Sequence, residues 1–365
     1  MKKFISSQPV LVISFIAALI TVFIIPPDSK YPGYINRTVI FELFALMTAV
    51  AGFRNVGIFG KATDIMLEKA GTVRKLAVVF ILLCFFSSMF VTNDVALITF
   101  VPLTLLIFSG TDDEKSRILT IVLETAAANM GSMLTPIGNP QNLFIYDTYK
   151  LSALTFVKTT LPAGITSLVL ILLLTLLLPD RQCRKPEKNS SAIPKLPTAG
   201  FTVLFIICLL TVFRVMPDWV CFAAAVAAAL IFDRKLLLKV DYALLATFIC
   251  FFIFVGNIAR VDAVRDFFSG ILSGREIIIS VLLSQVISNV PAAVMLSGFT
   301  DNGTKLLLGV DIGGLGTLIA SLASLISFQL YRKSDNAAPL RYMISFTGVS
   351  MLLLIPLLLL TLITA

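Results

Sequence analysis

Histidine is absent from this chain of 365 residues, and cysteine and tryptophan are scarce. Without histidine, the chain has no histidine metal ligand, no serine–histidine catalytic pair and no histidine proton relay. The five cysteines are scattered, mostly in apolar runs, and their spacing predicts neither a disulfide framework nor a metal site. We therefore expect a protein that is not an enzyme and that needs no cofactor.

Charge is also scarce: 14% of the residues are charged, whereas 58% are hydrophobic. Apolar runs recur from end to end, which is typical of a multi-pass protein of the plasma or inner membrane, in contact with the lipid bilayer. No small-residue cleavage site follows the first run, residues 10–25, so we expect a retained helix and not a signal peptide. The net charge of +8 is attributed to basic cytoplasmic loops and not to nucleic-acid binding.

One apolar run, residues 76–108, is too long for a single span, yet it has no loop and carries Asp94 near its middle. Each leg has about 16 residues, or about 24 Å of helix, which is shorter than the roughly 30 Å core of a bilayer. Basic residues flank both ends of the run. We predict a re-entrant helical hairpin that enters and leaves on the cytoplasmic side.

The run at residues 277–299 has a similar polar interruption, although it is long enough to span once. If the N-terminus is cytoplasmic, two hairpins place more of the 29 basic residues inside than two simple spans do. The predicted fold is an all-α integral membrane protein with inverted-topology repeats. It has about nine spanning helices, two re-entrant helical hairpins and two broken helices.

The predicted halves cover residues 1–180 and 199–365, and one extra helix leads the second half. A basic cytoplasmic linker is expected between them at residues 181–198. Residues 53–74 are predicted to form an interfacial amphipathic helix.

Four polar breaks occupy matching places in the two halves: two hairpin tips, and one break in the helix that follows each hairpin. Their candidate solute- or ion-binding residues are Thr92, Asn93, Asp94, Thr135, Gly138, Asn139, Pro140, Asn142, Ser288, Asn289, Pro291, Asp311, Gly313, Gly314 and Thr317. Unpaired polar groups are costly in hydrocarbon, so repeated breaks are typical of a transporter's midplane binding site. Polar kinks satisfied by neighbouring helices are the alternative.

The chemistry of the breaks suits an anion and a cation together. Helix N-termini carry positive partial charge, which favours carboxylate or oxyanion groups, while amide and hydroxyl oxygens suit sodium. The sequence predicts a sodium ion at Asn93, Asp94 and Asn289. Asp94, an acid within the membrane, is expected to carry sodium or a coupling proton, or else to pair with a basic residue.

At these motifs the chain resembles the ion transporter superfamily. It is most similar to the citrate- and arsenite-permease-type members and, more distantly, to divalent-anion:sodium symporters. The matching segments are residues 92–94, 138–143, 288–291 and 313–317. The resemblance covers nearly the whole chain, although Asp94 and Val290 depart from the symporter pattern.

The resemblance implies a homodimer that works by an elevator mechanism, in which the hairpins and broken helices move. It also implies that Asn93 and Asn289 lie between the cation and anion sites. The residues that line these sites would be Thr135, Asn139, Asn142 and Thr317.

These observations predict a secondary active transporter, or permease, of a small anionic solute, such as a carboxylate, arsenite or another oxyanion. The coupling cation would be sodium or a proton. The alternative is a sodium/proton antiporter of the same superfamily, with Asp94 and Asp311 as ion carriers.

Overall fold

The computed structural model describes residues 9–58, 71–108, 113–182 and 193–364. Nearly all of these residues are helical, and no strand occurs within these ranges, where a single bridge joins Thr72 to Gln182. The predicted all-α fold is confirmed. The linker expected at 181–198 and the interfacial helix expected at 53–74 fall mostly outside the described ranges.

The helices of the first half follow the apolar runs of the sequence. They are α1 (Pro9–Ile24), α2 (Tyr31–Tyr34), α3 (Arg37–Asn55), α4 (Val73–Val91), α5 (Asn93–Phe108), α6 (Glu114–Ser132), α7 (Pro140–Thr148) and α8 (Ala153–Leu174), with a 3-10 turn at Thr175–Leu177.

The second half continues with α9 (Lys195–Val212), α10 (Asp218–Phe232), α11 (Tyr242–Ile258), α12 (Asp262–Leu272), α13 (Glu276–Ile287), α14 (Asn289–Ser297), α15 (Gly303–Ile312), α16 (Leu322–Arg332) and α17 (Pro339–Thr364). Two 3-10 turns lie at Arg234–Lys239 and Leu318–Ala320.

Polar side chains set where several of these helices begin. Asn36, Thr72, Ser152 and Asp241 each accept a hydrogen bond from a backbone N–H in the first turn of α3, α4, α8 and α11. Such caps satisfy N–H groups that have no partner inside the helix, and each contributes about 1 kcal/mol. These capping residues lie just before the apolar runs, so they help to fix the residue at which each helix begins.

Five of the described helical segments are long and apolar enough to cross a bilayer: Arg37–Asn55, Val73–Val91, Ala153–Leu177, Lys195–Val212 and Pro339–Thr364. The pair α11 and α12 would form a sixth if counted together, but it bends by 103°. The extra helix expected to lead the second half is α9, which begins at Lys195, before the expected end of the linker at residue 198. The helix α12 was not predicted.

The helices pack with the same pattern in both halves. The legs α4 and α5 of the first hairpin pack against each other and against α6, and the legs α13 and α14 of the second pack against each other and against α15. The second leg of each hairpin also contacts the other half: α5 packs on α16, and α14 packs on α7. Each broken helix therefore lies between its own hairpin and the opposite one.

The helices α1, α3, α9, α10 and α11 form a second body beside the hairpins, whereas α8 and α17 pack on α6. Here α1 packs on α11, and α3 packs on α10 and α9. One buried apolar cluster is centred on α4, α5, α6 and α17, and a second joins α3 and α9–α11 to α7, α14 and α15. Large apolar side chains such as Phe23, Leu177 and Ile363 remain exposed, as expected for surfaces that face lipid.

Candidate functional site

Both hairpin tips turn on one residue with the same unusual backbone conformation. Thr92 has φ 72° and ψ 150°, and Ser288 has φ 75° and ψ 154°. This region is populated almost only by glycine, and a side chain held there costs on the order of 1–3 kcal/mol. The strain is the same at the two tips, and strained backbone of this kind clusters at binding and switch sites.

Each broken helix contacts the end of its hairpin's first leg in the same way. The hydroxyl of Thr135 donates a hydrogen bond to the carbonyl oxygen of Met89, three residues before the first tip. The hydroxyl of Thr317 donates to the carbonyl oxygen of Gln285, at 3.3 Å and three residues before the second tip. Thr135 and Thr317 thus make equivalent contacts in the two halves.

Glycines at the ends of α6 and α15 allow these close contacts. A Cβ atom on Gly131 would lie 2.0 Å from the carbonyl oxygen of Phe85 and 2.6 Å from Ser88 Oγ. A Cβ atom on Gly313 would lie 2.9 Å from Ser284 Oγ. Ser88 and Ser284 each stand four residues before a tip, so the two hairpins press on the two helix ends at equivalent points.

A buried asparagine of α6 connects the two halves. Asn129 Oδ1 accepts a hydrogen bond from Asn93 Nδ2 at 2.9 Å and another from Ser321 Oγ at 3.1 Å. Its Nδ2 donates to the carbonyl oxygen of Gly314 at 3.5 Å. A Cβ atom on Gly314 would lie 2.9 Å from Asn289 Nδ2, so Asn129 and Gly314 stand between the two tips.

The break in the first broken helix is closed by side chains from its own sequence. Asn139 caps α7 by accepting from the backbone N–H of Asn142 at 2.8 Å, and Pro140 opens the helix, where its missing N–H costs nothing. The carbonyl oxygen of Gly138 accepts from the backbone N–H of Asn93 at 3.2 Å. This bond joins the first break to the first tip.

The second break reaches the first one through Asp311. This residue is only 3% exposed, and its Oδ1 accepts hydrogen bonds from Asn139 Nδ2 at 3.3 Å and from Gln141 Nε2 at 3.5 Å. Asp311 lies at the end of α15, in the second half, whereas both donors lie at the start of α7, in the first. The two broken helices therefore contact each other at their breaks.

Gln285 stabilises the second break from the hairpin side. Its Nε2 donates to the carbonyl oxygens of Gly313 and Leu315 at 2.8 and 2.9 Å, and its Oε1 accepts from the backbone N–H of Thr317 at 2.8 Å. The Ser288 hydroxyl donates to the carbonyl oxygen of Ala320 at 3.4 Å. The backbone groups freed by the break are thus paired with the hairpin.

A cavity of about 840 Å³ opens beside the first tip and the first break. Its walls come from α3, from the first hairpin and from the segment that leads into α11. Its polar lining consists of Thr92, Asp94, Asn139, Arg54, Asn55, Lys239 and Asp241. The N-termini of α5 and α7 border it, so positive partial charge from two helices faces the space.

Asp94 lies in the wall of this cavity, in the first turn of α5. Its backbone N–H donates to Asn93 Oδ1 at 3.0 Å. Among the described residues, no basic side chain forms an ion pair with Asp94. The described structure thus offers no support for the pairing alternative raised from the sequence, and the carboxylate faces the cavity.

The fifteen candidate residues gather around the two tips, but their surroundings differ. Thr92, Asp94, Asn139 and Pro140 line the cavity. The remaining residues are in contact within the protein, among them Asn93, Asn142, Asn289, Asp311 and Thr317. Pro291 is buried in the first turn of α14 and supplies no polar group.

Sequence reasoning left three connecting residues out of the candidate set: Asn129, Gln285 and Ser321. The same number of residues separates Asn129 from Asp311, Thr135 from Thr317 and Asn139 from Ser321. That separation could have identified Ser321, which precedes α16 as Asn139 precedes α7. Gln285 lies inside an apolar run and has no matching polar residue in the first half, so the sequence pattern did not indicate it as a site residue.

Comparison with known proteins agrees with this architecture. The family model described as citrate transporter matches residues 4–302. The "uncharacterized transporter MJ0456" of Methanocaldococcus jannaschii is 35% identical over 294 residues, which is 80% of each chain. The inner membrane protein YbiR of Escherichia coli is 32% identical over 318 residues, which is 84% of each chain.

A solved structure shares the fold at low sequence identity. The YdaH transporter of Alcanivorax borkumensis, whose crystal structure is described as having an unusual topology, is 11% identical with a TM-score of 0.54. The match covers 92% of this chain and 87% of the other. With a family match over most of its length and two long relatives above 30% identity, this multi-pass membrane protein is a transporter, and it belongs to the citrate transporter family.

Proposed function

We propose that this chain is a secondary active transporter that moves a small anionic solute, a carboxylate or an oxyanion such as arsenite, through the cavity beside the first hairpin tip. The observation that carries the proposal is the convergence of two helix N-termini, those of α5 and α7, on this cavity. The positive partial charge at these two helix ends favours an anion. In the cavity lining, the positive charges of Arg54 and Lys239 stand beside the acids Asp94 and Asp241.

The coupling cation, sodium or a proton, would act at Asp94. This acid stands in the cavity with no basic partner among the described residues, so an added cation would neutralise it beside the anion. Binding of cation and anion would then favour each other, since each lowers the electrostatic cost of the other. Sodium coupling would also involve Asn93 and Asn289, as the sequence predicted.

The cavity lies between the hairpin body and the helices α3 and α11 of the second body, which supports an elevator movement of one against the other. We propose that the transporter is a homodimer of the plasma or inner membrane with a cytoplasmic N-terminus. In that orientation Arg54 and Lys239 stand on the cytoplasmic side, so the described state is open to the cytoplasm.

Uptake into proteoliposomes tests the proposal. Vesicles containing the purified protein are given a sodium or proton gradient and radiolabelled citrate, succinate, arsenite or sulfate in turn. We expect one of these solutes to accumulate against its gradient, and Asp94→Asn to remove the dependence on the cation gradient while the protein remains folded. Asp262→Asn, an exposed acid on α12, is the matched control and leaves uptake unchanged.

The second candidate function is sodium/proton antiport, and two acids within the predicted membrane region, Asp94 and Asp311, favour it. A sodium gradient imposed without any solute separates the two functions. An antiporter changes the lumenal pH under this condition, whereas a solute transporter changes it only when its solute is added. Accumulation of no solute together with a sodium-driven pH change would replace the first proposal by the second.

A further inference from the structure

The C-terminal end of α7 is held by an arginine of the second body. Arg214, in the turn after α9, donates a hydrogen bond from Nη2 to the carbonyl oxygen of Tyr146 at 2.7 Å and another from Nη1 to that of Leu151 at 3.1 Å. Its guanidinium carbon also lies 4.7 Å from the centre of the Tyr146 ring. Carbonyl oxygens at the C-terminal end of a helix carry negative partial charge, so a cation is stabilising there.

Arg214 stands where helices usually place glycine. The backbone N–H groups of Arg214 and Val215 donate to the carbonyl oxygens of Thr211 and Leu210, both at 2.8 Å, which is the Schellman pattern at the end of α9. Arg214 takes the left-handed conformation that this pattern needs, with φ 61°. A residue other than glycine is strained in this conformation, so the turn alone does not account for the arginine.

A second hydrogen bond joins the same end of α7 to α3. Asn36 Nδ2 donates to Asp147 Oδ2 at 2.8 Å, and Asp147 is only 6% exposed. The amide of Asn36 is oriented by its Oδ1, which accepts from the backbone N–H of Val39 and caps α3. The other carboxylate oxygen of Asp147 accepts from Lys150 Nζ at 2.8 Å. Arg214 and Asn36 thus hold two adjacent residues of α7 from two different helices of the second body.

The start of α7 has no such bonds to the second body. Asn139 lines the cavity of about 840 Å³ together with Arg54 and Lys239. Its side chain bonds to Ser132 and Asp311, which belong to the hairpin body, and within the described ranges to no group of the second body. Polar contacts therefore join the two bodies at one end of α7, and open space separates them at the other.

A smaller cavity, of about 360 Å³, lies at the bonded end of α7, and its lining includes Asp147 and Val294. Leu143 lines the large cavity, whereas the next residue, Phe144, lines the small one. The centre of the Phe144 ring lies 5.6 Å from that of Phe252 on α11. Both cavities thus lie along the same seam, where α7 faces α3 and α11, and apolar side chains separate them.

We propose that Arg214 and Asn36 form an outer latch, which holds this seam shut at the small cavity while it is open at the large one, and that the latch opens when the hairpin body moves. Movement of α7 along α3 and α11 breaks both contacts, because their donors belong to the second body and their acceptors to the hairpin body. The role in movement rests on the proposed transport function. The effect of the latch on the seam does not, because no solute is needed to measure it.

Cysteine labelling in lipid nanodiscs, where a water-soluble maleimide reaches both faces of the protein, tests the latch. Val294→Cys, at a position that is 1% exposed, reports on the small cavity and Val95→Cys on the large one, each in a chain whose own cysteines are replaced by alanine. Arg214→Gly removes the guanidinium group and keeps the turn, which glycine favours. Asn36→Asp keeps the cap of α3 and brings two carboxylates together. We expect either change to speed labelling of Val294→Cys and to slow that of Val95→Cys, so that the ratio of the two rates changes about tenfold.

Arg265→Ala is the matched control, because the ion pairs of Arg265 with Asp262 and Asp266 stay within α12, and it should leave both rates unchanged. An unchanged ratio in both Arg214→Gly and Asn36→Asp overturns the latch. Faster labelling at both cysteines also overturns it, because the variants have then loosened the whole fold. If the labelling shifts as expected but wild type accumulates no solute in vesicles, the transport proposal fails and the latch stands.

Discussion

Replacing Asn129 by alanine removes a side chain that contacts polar groups from both halves of the protein. The main loss is the 2.9 Å hydrogen bond that Asn93 Nδ2 donates to Asn129 Oδ1. Asn93 is only 5% exposed, and Nδ2 has no second acceptor among the described residues. An amide donor left unpaired in such a place costs about 1–3 kcal/mol. The hydroxyls of Ser321 and Ser324 can rotate to other partners, so we expect a destabilisation in this range.

A double-mutant cycle isolates the contact between the first tip and α6. Asn93→Ala alone should cost less than Asn129→Ala, about 1 kcal/mol, because Asn129 Oδ1 keeps its bond from Ser321. The backbone N–H of Asp94 loses its bond to Asn93 Oδ1 in both variants that lack Asn93, so this loss cancels in the cycle. With both residues replaced, Asn93 Nδ2 is removed together with its acceptor, so the double variant should be more stable than the sum of the single losses implies. The expected coupling free energy is about 0.5–3 kcal/mol.

The assay is reversible unfolding in mixed micelles, which gives the free energy of unfolding of each of the four proteins in the cycle. The control cycle pairs Asn129→Ala with Asn302→Ala, which caps the far end of α15 and shares no partner with Asn129. Its two effects should add to within about 0.3–0.5 kcal/mol. Additive effects in the Asn93–Asn129 cycle as well would refute the conclusion that this hydrogen bond links the first tip to α6.

Three further changes test the geometry of the tips and breaks. Gly131→Ala should lower the free energy of unfolding by about 1–3 kcal/mol, because its Cβ would press on a backbone oxygen, whereas Gly348→Ala, with open space around it, should be neutral or stabilising. Thr92→Gly should raise the unfolding midpoint by relieving strain and should slow uptake, because a hydroxyl leaves the cavity. Gln285→Leu should destabilise the protein by several kcal/mol, since two carbonyl oxygens and one N–H of the second break lose their partner. Equal stability of Gly131→Ala and wild type, faster uptake by Thr92→Gly, or a Gln285→Leu protein as stable as wild type would each contradict the structure at that point.

The hairpins could be predicted because the bilayer constrains them physically. The run at residues 76–108 is longer than one span, and the legs expected from it were shorter than one, so a turn at Thr92 was the consistent solution. In the structure the first leg, α4, begins earlier and has 19 residues, which is long enough to cross a bilayer. Asn139-Pro140 likewise predicts a helix start inside an apolar region, and the structure places the N-cap at Asn139. These features are local, and the sequence pattern carries them.

The contacts between the halves could not be read from local pattern. A turn built on a positive φ is expected at glycine, yet the tips place threonine and serine there. Gln285 reads as an interruption of an apolar run, and its role depends on a backbone about thirty residues away that only the packed structure brings near. The helix α12 was missed because charged residues break its apolar pattern.

The two tips also proved unequal in a way that composition alone did not show. The sequence distinguished them by an acid at Asp94 and a proline at Pro291. In the structure, the first tip borders the large cavity, whereas Asn289 at the second tip packs against Gly314. The difference follows from which helices lie beside each tip, and this arrangement is set by packing between distant segments.

Solute protection of a cysteine in the cavity wall tests most directly whether this cavity is the solute site. Val95→Cys, in a chain whose own cysteines are replaced by alanine, is labelled with a membrane-impermeant maleimide in the presence and absence of the transported solute. Asp262→Cys, on the exposed face of α12, controls for the reagent. We predict that the solute slows labelling of Val95→Cys and leaves Asp262→Cys unaffected. Labelling of Val95→Cys at the same rate with saturating solute would contradict a solute site in this cavity.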